Sequence, residues 1–333
     1  MTQAREVDVV AVGHAIVDVL APVPDDLITS LGLAKGTMLL VDEDQAGRVY
    51  SSIGAATKQS GGSAANTCAG VASLGGTAAF IGKVADDDLG REFAADIRGI
   101  GVDYRVAPAA SGPATGRCLS LVTADAERTL CTYLGAGDHL HASDVDAELL
   151  AGAGIFYIEG YMCGLEASRA ALDSALVAAR AAATPVALSL SDPSWVQLHG
   201  GELAKLADDC AVVFANEAEV CVLTGIDDVK DATVTLARRI PTVVVTRGAQ
   251  GCMVASDERF FEVPAFPVQT AVDTTGAGDL FAAGYLFGHV RGAGPEACAR
   301  LGALAAAEVV SHFGARPQAS LAALAADQGL LIA

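Results

Sequence analysis

Short apolar runs recur along this 333-residue chain and alternate with longer alanine-rich stretches. Apolar runs of this length are typical of strands buried on both faces of a parallel sheet, and the stretches between them are typical of helices. The runs lie at 7–13, 78–82, 155–159, 186–190, 211–215 and 242–246, and the helical stretches include 63–74, 167–183 and 296–311. The pattern predicts an α/β fold with a doubly wound, mostly parallel sheet flanked by helices.

Two further segments favour antiparallel hairpins. Residues 114–134 form extended runs around the polar turn 124–128, and residues 251–263 repeat this pattern. The hairpin at 114–134 and an irregular segment at 18–60 predict a small β lid, built from residues 18–60 and 110–136 and inserted into one domain spanning 1–333. Ligands bind at the carboxyl ends of parallel strands. The residues found there are Gly13, Gly82, Glu159, Ser191, Asn216 and Thr246.

The charge balance excludes some classes of partner. The net charge is −19, with 40 acidic against 21 basic residues. Nucleic acids and anionic membranes need a basic face, so we expect neither as a partner. No apolar stretch is long enough to span a membrane. Charged residues interrupt the start of the chain, so we do not expect a signal peptide there. The eight cysteines lack metal-ligand spacing. We expect reduced thiols, a cytoplasmic location and a monomer or homodimer.

A glycine-rich motif, Asp273 to Asp279, precedes an apolar run at 280–287 that is typical of a helix. Backbone N–H groups at a helix N-terminus bind phosphate oxygens, and an adjacent acid can take a proton from a hydroxyl. The alternative is a plain helix cap, with Thr275 or Asp273 as the capping residue. No G-x-x-x-x-G-K-[ST] motif occurs, and the glycines do not have the spacing of a dinucleotide-binding fingerprint.

A second glycine cluster, Gly61 to Asn66, opens the helix predicted at 63–74. Glycines allow a ligand to approach the backbone, and the Asn66 amide can donate to and accept from sugar hydroxyls. Asp18, which follows the first strand, can accept two hydroxyls of a ribose. The alternatives are a tight turn for the glycines and a surface acid for Asp18.

Five motifs in chain order resemble those of the ribokinase-like (PfkB) sugar and nucleoside kinases. They are Gly61 to Asn66 with Leu74-Gly75, Ile81 to Gly90, Asn216 to Glu219, Thr246 to Gly251, and Asp273 to Gly284. The resemblance implies a ribokinase-like fold and an ATP-dependent phosphotransferase with an alcohol group as acceptor. It implies ATP and Mg²⁺ as cofactors, with K⁺ as a further cation common in the family.

The resemblance also implies roles for individual residues. Asp279 would be the general base, and Arg128 would reach the phosphate from the lid. The anion hole would be formed by backbone N–H groups of Thr275, Gly276, Ala277 and Gly278. Asn216 and Glu219 would organise Mg²⁺ through waters. The ATP side would be lined by Asn216, Thr246, Gly248, Gly251 and Thr275. The acceptor would be held by His14, Asp18, Gly61, Gly62, Asn66 and Tyr133.

The hairpin sequence resembles the adenosine kinase branch in particular, through residues 116–119, Glu127 to Leu130 and Tyr133 to Ala136, and so does the strand end Glu159 to Tyr161. An exposed turn arginine is the alternative for Arg128. Two positions depart from the branch. His14 stands where asparagine is usual, and the helix at 301–307 is apolar where the family often has a polar residue.

Three functions follow as hypotheses. The first is a nucleoside kinase that phosphorylates the ribose 5′-hydroxyl, with adenosine as the expected acceptor. The second is a sugar kinase acting on ribose, fructose or a related sugar. The third is a non-catalytic nucleotide sensor, which the intact Asp279, Asn216 and Glu219 argue against. An apolar slot lined from the two lid segments would favour a nucleobase.

Overall fold

The computed structural model describes residues 5–125 and 127–330. Residues 1–4, Ala126 and 331–333 lie outside the described residues, although the predicted domain includes them and Ala126 belongs to the predicted turn. The strands are β1 (Val7–Val12), β2 (Ile16–Pro22), β3 (Met38–Leu40), β4 (Thr57–Gly61), β5 (Ala78–Ile81), β6 (Thr115–Val122), β7 (Arg128–Gly135), β8 (Ala153–Glu159), β9 (Val186–Ser189), β10 (Val212–Asn216), β11 (Thr242–Thr246), β12 (Cys252–Ser256) and β13 (Arg259–Val263). The helices are α1 (Asp25–Ser30), α2 (Glu43–Ser52), α3 (Ser63–Ser73), α4 (Asp88–Gly99), α5 (Ala147–Ala151), α6 (Glu166–Ala182), α7 (Pro193–Ala207), α8 (Glu217–Thr224), α9 (Val229–Leu236), α10 (Ala277–Val290), α11 (Pro295–Val309) and α12 (Leu321–Asp327).

The main sheet has eight strands in the order β13-β12-β11-β10-β9-β8-β1-β5. All neighbours from β11 to β5 pair in parallel, and only the edge strands β12 and β13 pair antiparallel. Residues 9–12 of β1 are fully buried, as expected for a parallel strand covered on both faces. The predicted fold class, a mostly parallel α/β sheet flanked by helices, is therefore confirmed.

A second sheet of five strands has the order β3-β7-β6-β2-β4. Its strands come from residues 16–61 and 115–135. The predicted hairpin is β6 and β7, which pair antiparallel, whereas β2 pairs in parallel with β6. Only three residues, Gly13 to Ala15, connect the main-sheet strand β1 to β2, so the second sheet starts at the carboxyl end of β1.

Helix α10 packs against both α3 and α11, and α3 also contacts β1 and β5. This packing places the N-terminal turns of α3 and α10 side by side at the carboxyl edge of the main sheet. Helix α10 is buried along most of its length, from Leu280 to Gly288, because alanines and glycines let its neighbours approach closely. Within the described ranges, no helix is both long and apolar enough to cross a membrane.

Candidate active site

Helix α10 begins with a glycine in the left-handed conformation. Gly276 is the N-cap residue with φ +78°, and a Cβ atom there would lie 2.7 Å from the Cβ of Ala315. Only glycine fits such a position without strain. No side chain caps the helix. Asp273 instead accepts hydrogen bonds from the backbone N and the hydroxyl of Thr275, at 3.0 and 2.8 Å, so it orders the preceding loop and does not cap α10.

Asp279 lies in the first turn of α10 and faces the first turn of α3. Its Oδ1 accepts a hydrogen bond from the Ser63 hydroxyl at 2.6 Å, and its Oδ2 accepts one from Asn66 Nδ2 at 2.9 Å. Burial raises the pKa of Asp279 to about 6, against the opposing effect of these two donors. The carboxylate is therefore ionised at neutral pH and accepts protons more readily than an exposed aspartate.

Asp18 lies on β2 beside the glycines that join β4 to α3. Gly62 has φ +99°, and a side chain at either Gly61 or Gly62 would overlap Asp18 or the backbone of His14. Burial raises the pKa of Asp18 to about 7, with Arg316 acting in the opposite direction and Asp279 adding to the rise. Two carboxyl groups with raised pKa values thus lie near each other at the end of the two sheets.

Arg316 lies partly buried beneath this glycine turn. Its Nε and Nη1 atoms donate to the backbone oxygens of Ser60 and Ala65 at 2.9 and 2.6 Å. Its charge lowers the pKa of both Asp18 and Asp279. The segment that follows α11 therefore places a cation beneath the glycine turn. Sequence reasoning missed Arg316 because no motif surrounds it.

His14 lies directly after β1 and is buried. Its Nδ1 is 2.7 Å from Oε1 of Glu159 at the end of β8, and Glu159 Oε2 accepts a hydrogen bond from the backbone N of Ala64 at 3.0 Å. Glu159 therefore ties β1, β8 and α3 together. The second ring nitrogen of His14 is buried and has no hydrogen-bond partner among the described residues.

Arg128, the first residue of β7, reaches from the second sheet to the loop before α10. Its Nη1 donates to the Thr275 hydroxyl at 3.0 Å, and its guanidinium lies over the ring of Phe313 at 5.3 Å. The side chain is largely buried. The alternative of an exposed turn arginine is therefore wrong.

A cavity of about 330 Å³ lies between α10 and the ends of β9, β10 and β11. Its lining residues include Ser63, Ser191, Asn216, Glu219, Thr246, Gly276, Gly278 and Asp279. Asn216 caps α8, and both Glu219 carboxylate oxygens accept hydrogen bonds from the Asn216 backbone N (2.9 Å) and Nδ2 (2.7 Å). Burial raises the pKa of Glu219 to about 7. Asp279 and the Asn216–Glu219 pair thus share one cavity.

A neighbouring cavity of about 500 Å³ shares Thr246, Gly278 and Phe281 with the first. Gly248 and Gly251 line it, and so do Ala303, Ala306 and Ala307 of α11. This wall is apolar, as the sequence of α11 indicates. Two adjoining cavities therefore lie between Asp279 and α11, and the apolar lining of the second suits a flat apolar ring.

The backbone N–H groups of the glycine motif are not equivalent. The Thr275 N–H donates to Asp273 Oδ1, and the Ala277 N–H donates to the Thr274 carbonyl at 3.2 Å. For Gly276 and Gly278, the described part of the chain provides no such partner for the N–H. Within the segment predicted to form an anion hole, the N–H groups of Gly276 and Gly278 are therefore the ones available to an anion.

The structure does not bring Tyr133 to this cluster. Tyr133 and Arg128 are five positions apart on β7, so their side chains project from opposite faces of the strand. The Tyr133 hydroxyl donates to Glu43 of α2 at 3.0 Å. Tyr133 was predicted to hold the acceptor, and this prediction is corrected because alternate residues of a strand project from opposite faces.

Two further observations bear on the predicted site. Within residues 5–125 and 127–330, no three His, Cys, Asp or Glu side chains are grouped so as to hold a metal ion. Ser63 is the second residue that sequence reasoning missed, although it belongs to the Gly61 to Asn66 motif.

Residues 9–321 match the model of the pfkB family carbohydrate kinases. The structure of a probable sugar kinase from Rhizobium etli superposes with a TM-score of 0.92 at 38% identity, covering 98% of this chain and 100% of the other. Adenosine kinase from Sinorhizobium meliloti gives a TM-score of 0.90 at 41% identity, covering 97% and 99%. Fructokinase-1 of Zea mays is 35% identical over 67% of this chain and 72% of its own length.

Proposed function

The chain belongs to the pfkB family of carbohydrate kinases, and on that premise we propose that it transfers the γ-phosphoryl group of ATP to the 5′-hydroxyl of a nucleoside, with adenosine as the expected acceptor. The adenosine kinase of Sinorhizobium meliloti supports this choice through its 41% identity over nearly the whole chain. The acceptor of the Sinorhizobium meliloti enzyme is a property of that enzyme. The choice of acceptor for this chain therefore depends on the residues of its own candidate site.

Asp279 is the general base of this proposal. It takes the proton from the attacking hydroxyl while the oxygen forms a bond to the γ-phosphorus and the bond from that phosphorus to ADP breaks. A pKa of about 6 suits this role, because the group is ionised at neutral pH and still accepts a proton. The Gly276 and Gly278 N–H groups stabilise charge on the transferring phosphoryl, and Arg128 adds a cation from the second sheet.

Asn216 and Glu219 would hold Mg²⁺ through waters, and the metal would neutralise charge on the phosphates when bound. The pairing of Glu219 with the Asn216 amide orients its carboxylate toward the shared cavity. The alanine-lined cavity beside α11 would hold the adenine ring of ATP, with Thr246, Gly248 and Gly251 on its other side. We include in this proposal that phosphoryl transfer by the protein requires K⁺.

A row of residues across the second sheet carries the choice of a nucleoside. Asp18 pairs with Cys118, Cys118 with Thr132, and Thr132 with Leu40, so all four side chains share one face. Arg128 projects from this face too, four positions before Thr132. The row extends three strand spacings beyond Asp18, about 14 Å, and becomes apolar. A bare sugar would occupy only the first part of such a row, whereas a ribose on Asp18 would direct its base along it.

The second candidate is a sugar kinase. It is favoured by the identity to Fructokinase-1 and by the contact of Arg128 with Thr275, which holds the guanidinium near Asp18. The chemistry at Asp279 would be the same, and only the acceptor would differ.

A coupled assay of ADP formation tests the proposal. It uses purified protein with ATP, Mg²⁺ and K⁺ against adenosine, inosine, guanosine, cytidine, ribose and fructose. Turnover of nucleosides with little turnover of free sugars is expected. Turnover confined to ribose or fructose would reject the nucleoside assignment and leave the role of Asp279 standing. No turnover with any acceptor would reject both.

A further inference from the structure

One face of helix α3 is attached to Asp279 at three points. Ser63 and Asn66 donate to its two carboxylate oxygens, at 2.6 and 2.9 Å, and the Thr67 hydroxyl donates to its backbone oxygen at 3.2 Å. Residues spaced by three and four positions lie on the same face of a helix. The first turn of α3 therefore holds both the side chain and the main chain of Asp279.

These contacts differ in kind. The bond from Thr67 reaches the backbone and holds the two helices together, whereas the bonds from Ser63 and Asn66 reach the carboxylate itself. Among the described residues, Ser63 and Asn66 are the side chains that hydrogen-bond to this carboxylate. Asn66 also has a buried Oδ1 atom without a hydrogen-bond partner in the described part of the chain. A hydroxyl of the acceptor would donate a hydrogen bond to this atom. Ser63 has no comparable unpartnered atom for the acceptor.

The charges around Asp279 do not supply a close cation. Glu159 on β8 and Asp18 on β2 are acidic, and Arg316 is the basic group that acts on it, yet its N–H groups are bonded to Ser60 and Ala65. The phenols of Tyr157 and Tyr161 also face it and are neutral. A buried carboxylate without a paired cation depends on neutral hydrogen-bond donors to remain ionised.

We propose that Ser63 is a positioning residue for phosphoryl transfer, which keeps the Asp279 carboxylate ionised and oriented toward the acceptor hydroxyl through its hydrogen bond to Oδ1. This inference rests on the proposed role of Asp279 as general base. During transfer, the proton of the acceptor hydroxyl moves to the Asp279 carboxylate as the new O–P bond forms, and Asp279 later returns the proton to solvent. Ser63 remains a donor throughout and does not touch the phosphoryl group.

Loss of the hydrogen bond has a defined direction. Burial raises the pKa of Asp279, and the Ser63 hydroxyl lowers it. Ser63→Ala therefore raises the pKa further, and the acidic limb of kcat/KM against pH moves to higher pH by about one unit. At about pH 8.5 the carboxylate is ionised in both proteins, whereas at a pH well below the Asp279 pKa fewer variant molecules are ionised. The ratio of wild-type to variant kcat/KM is therefore about tenfold larger at the low pH than at about pH 8.5.

The experiment compares pH profiles of wild type, Ser63→Ala, Ser63→Thr and Thr67→Val, using whichever acceptor the enzyme turns over. Ser63→Thr retains the hydroxyl and is expected to restore the wild-type limb. Thr67→Val removes the helix contact to the Asp279 backbone and is expected to leave the limb unshifted, even if turnover falls. An unshifted limb in Ser63→Ala, or an equal shift in Thr67→Val, would overturn the proposal.

A second measurement does not depend on the acceptor. Titration of protein labelled with ¹³C at the aspartate Cγ atoms follows the Asp279 carboxyl directly, and its resonance is assigned by its loss in Asp279→Asn. The Asp279 pKa is expected to be higher in Ser63→Ala than in wild type. If no acceptor is phosphorylated but this pKa rises, the function is wrong and the hydrogen-bond assignment stands. Equal pKa values in both proteins would reject the inference about Ser63.

Discussion

Nη2 of Arg128 lies 2.6 Å from Oδ2 of Asp273, and this ion pair connects the second sheet to the loop that leads into α10. The Nη2 hydrogens are not aligned with a hydrogen-bond acceptor, whereas Nη1 donates to Thr275. Asp273 Oδ2 also accepts from the Gly314 backbone N at 2.8 Å. Asp273 is thus held by other partners, and an arriving phosphate can compete with it for the Arg128 guanidinium.

Arg128→Ala is expected to lower kcat by about tenfold to a hundredfold, because the cation stabilises charge that develops during transfer. Arg117→Ala is the matched control. Arg117 projects from the opposite face of the second sheet, over the rings of Tyr50 and Tyr133. Steady-state kinetics of the two variants check this. A rise in the acceptor KM alone for Arg128→Ala would contradict its placement at the phosphate.

Asp279→Asn is expected to lower kcat by about a hundredfold or more while ATP binding persists, since the amide cannot take the hydroxyl proton. Calorimetric titration with ATP and single-turnover kinetics separate the two effects. Asp209→Asn, which removes an exposed carboxylate paired with Arg180, serves as the control. Turnover close to wild type in Asp279→Asn would reject the general-base mechanism.

Asp18→Asn is expected to make the protein more stable at alkaline pH. The folded-state pKa of Asp18 is about 7, above its ordinary value of 3.8. The protonated group therefore stabilises the fold fully below about pH 4, and this contribution is lost as the pH rises through 7. The variant avoids that loss, so its urea midpoint exceeds that of wild type at about pH 8.5, by on the order of 1 kcal/mol in unfolding free energy, and by less at about pH 5.5. An advantage that is equal at both pH values would show that Asp18 does not titrate as described. Acceptor turnover should fall in the same variant.

Ala307→Phe places a ring in the alanine-lined cavity next to α11. We expect the KM for ATP to rise by about tenfold or more, because the cavity loses the volume that the adenine would occupy, while the acceptor KM changes little. Ala181→Phe, at an exposed position of α6, adds the same side chain away from any cavity. A rise in the acceptor KM with an unchanged ATP KM would place the nucleotide elsewhere.

Local patterns predicted much of this molecule. The apolar runs located the buried strands to within about two residues, since a strand covered on both faces needs continuous apolar side chains. The glycine motif located the start of α10, and the hairpin around residue 126 located β6 and β7. The misplaced residue, Tyr133, lies on a strand of correctly predicted extent. Which face a side chain occupies depends on strand register, and a difference of one residue reverses it.

The sequence by itself determined the fold class, the family and the positions of the acid and glycines of the motif, because each of these is written in spacing over a few residues. Tertiary structure alone decided which groups act on those residues. Ser63 and Asn66 reach Asp279 across more than two hundred positions of chain, and Arg316 lies beneath the glycine turn of residues 61–62. Arg128 meets Asp273 only because the second sheet lies against the loop before α10. A hydrogen bond or ion pair of this kind depends on the packing of whole elements, and no local pattern records it.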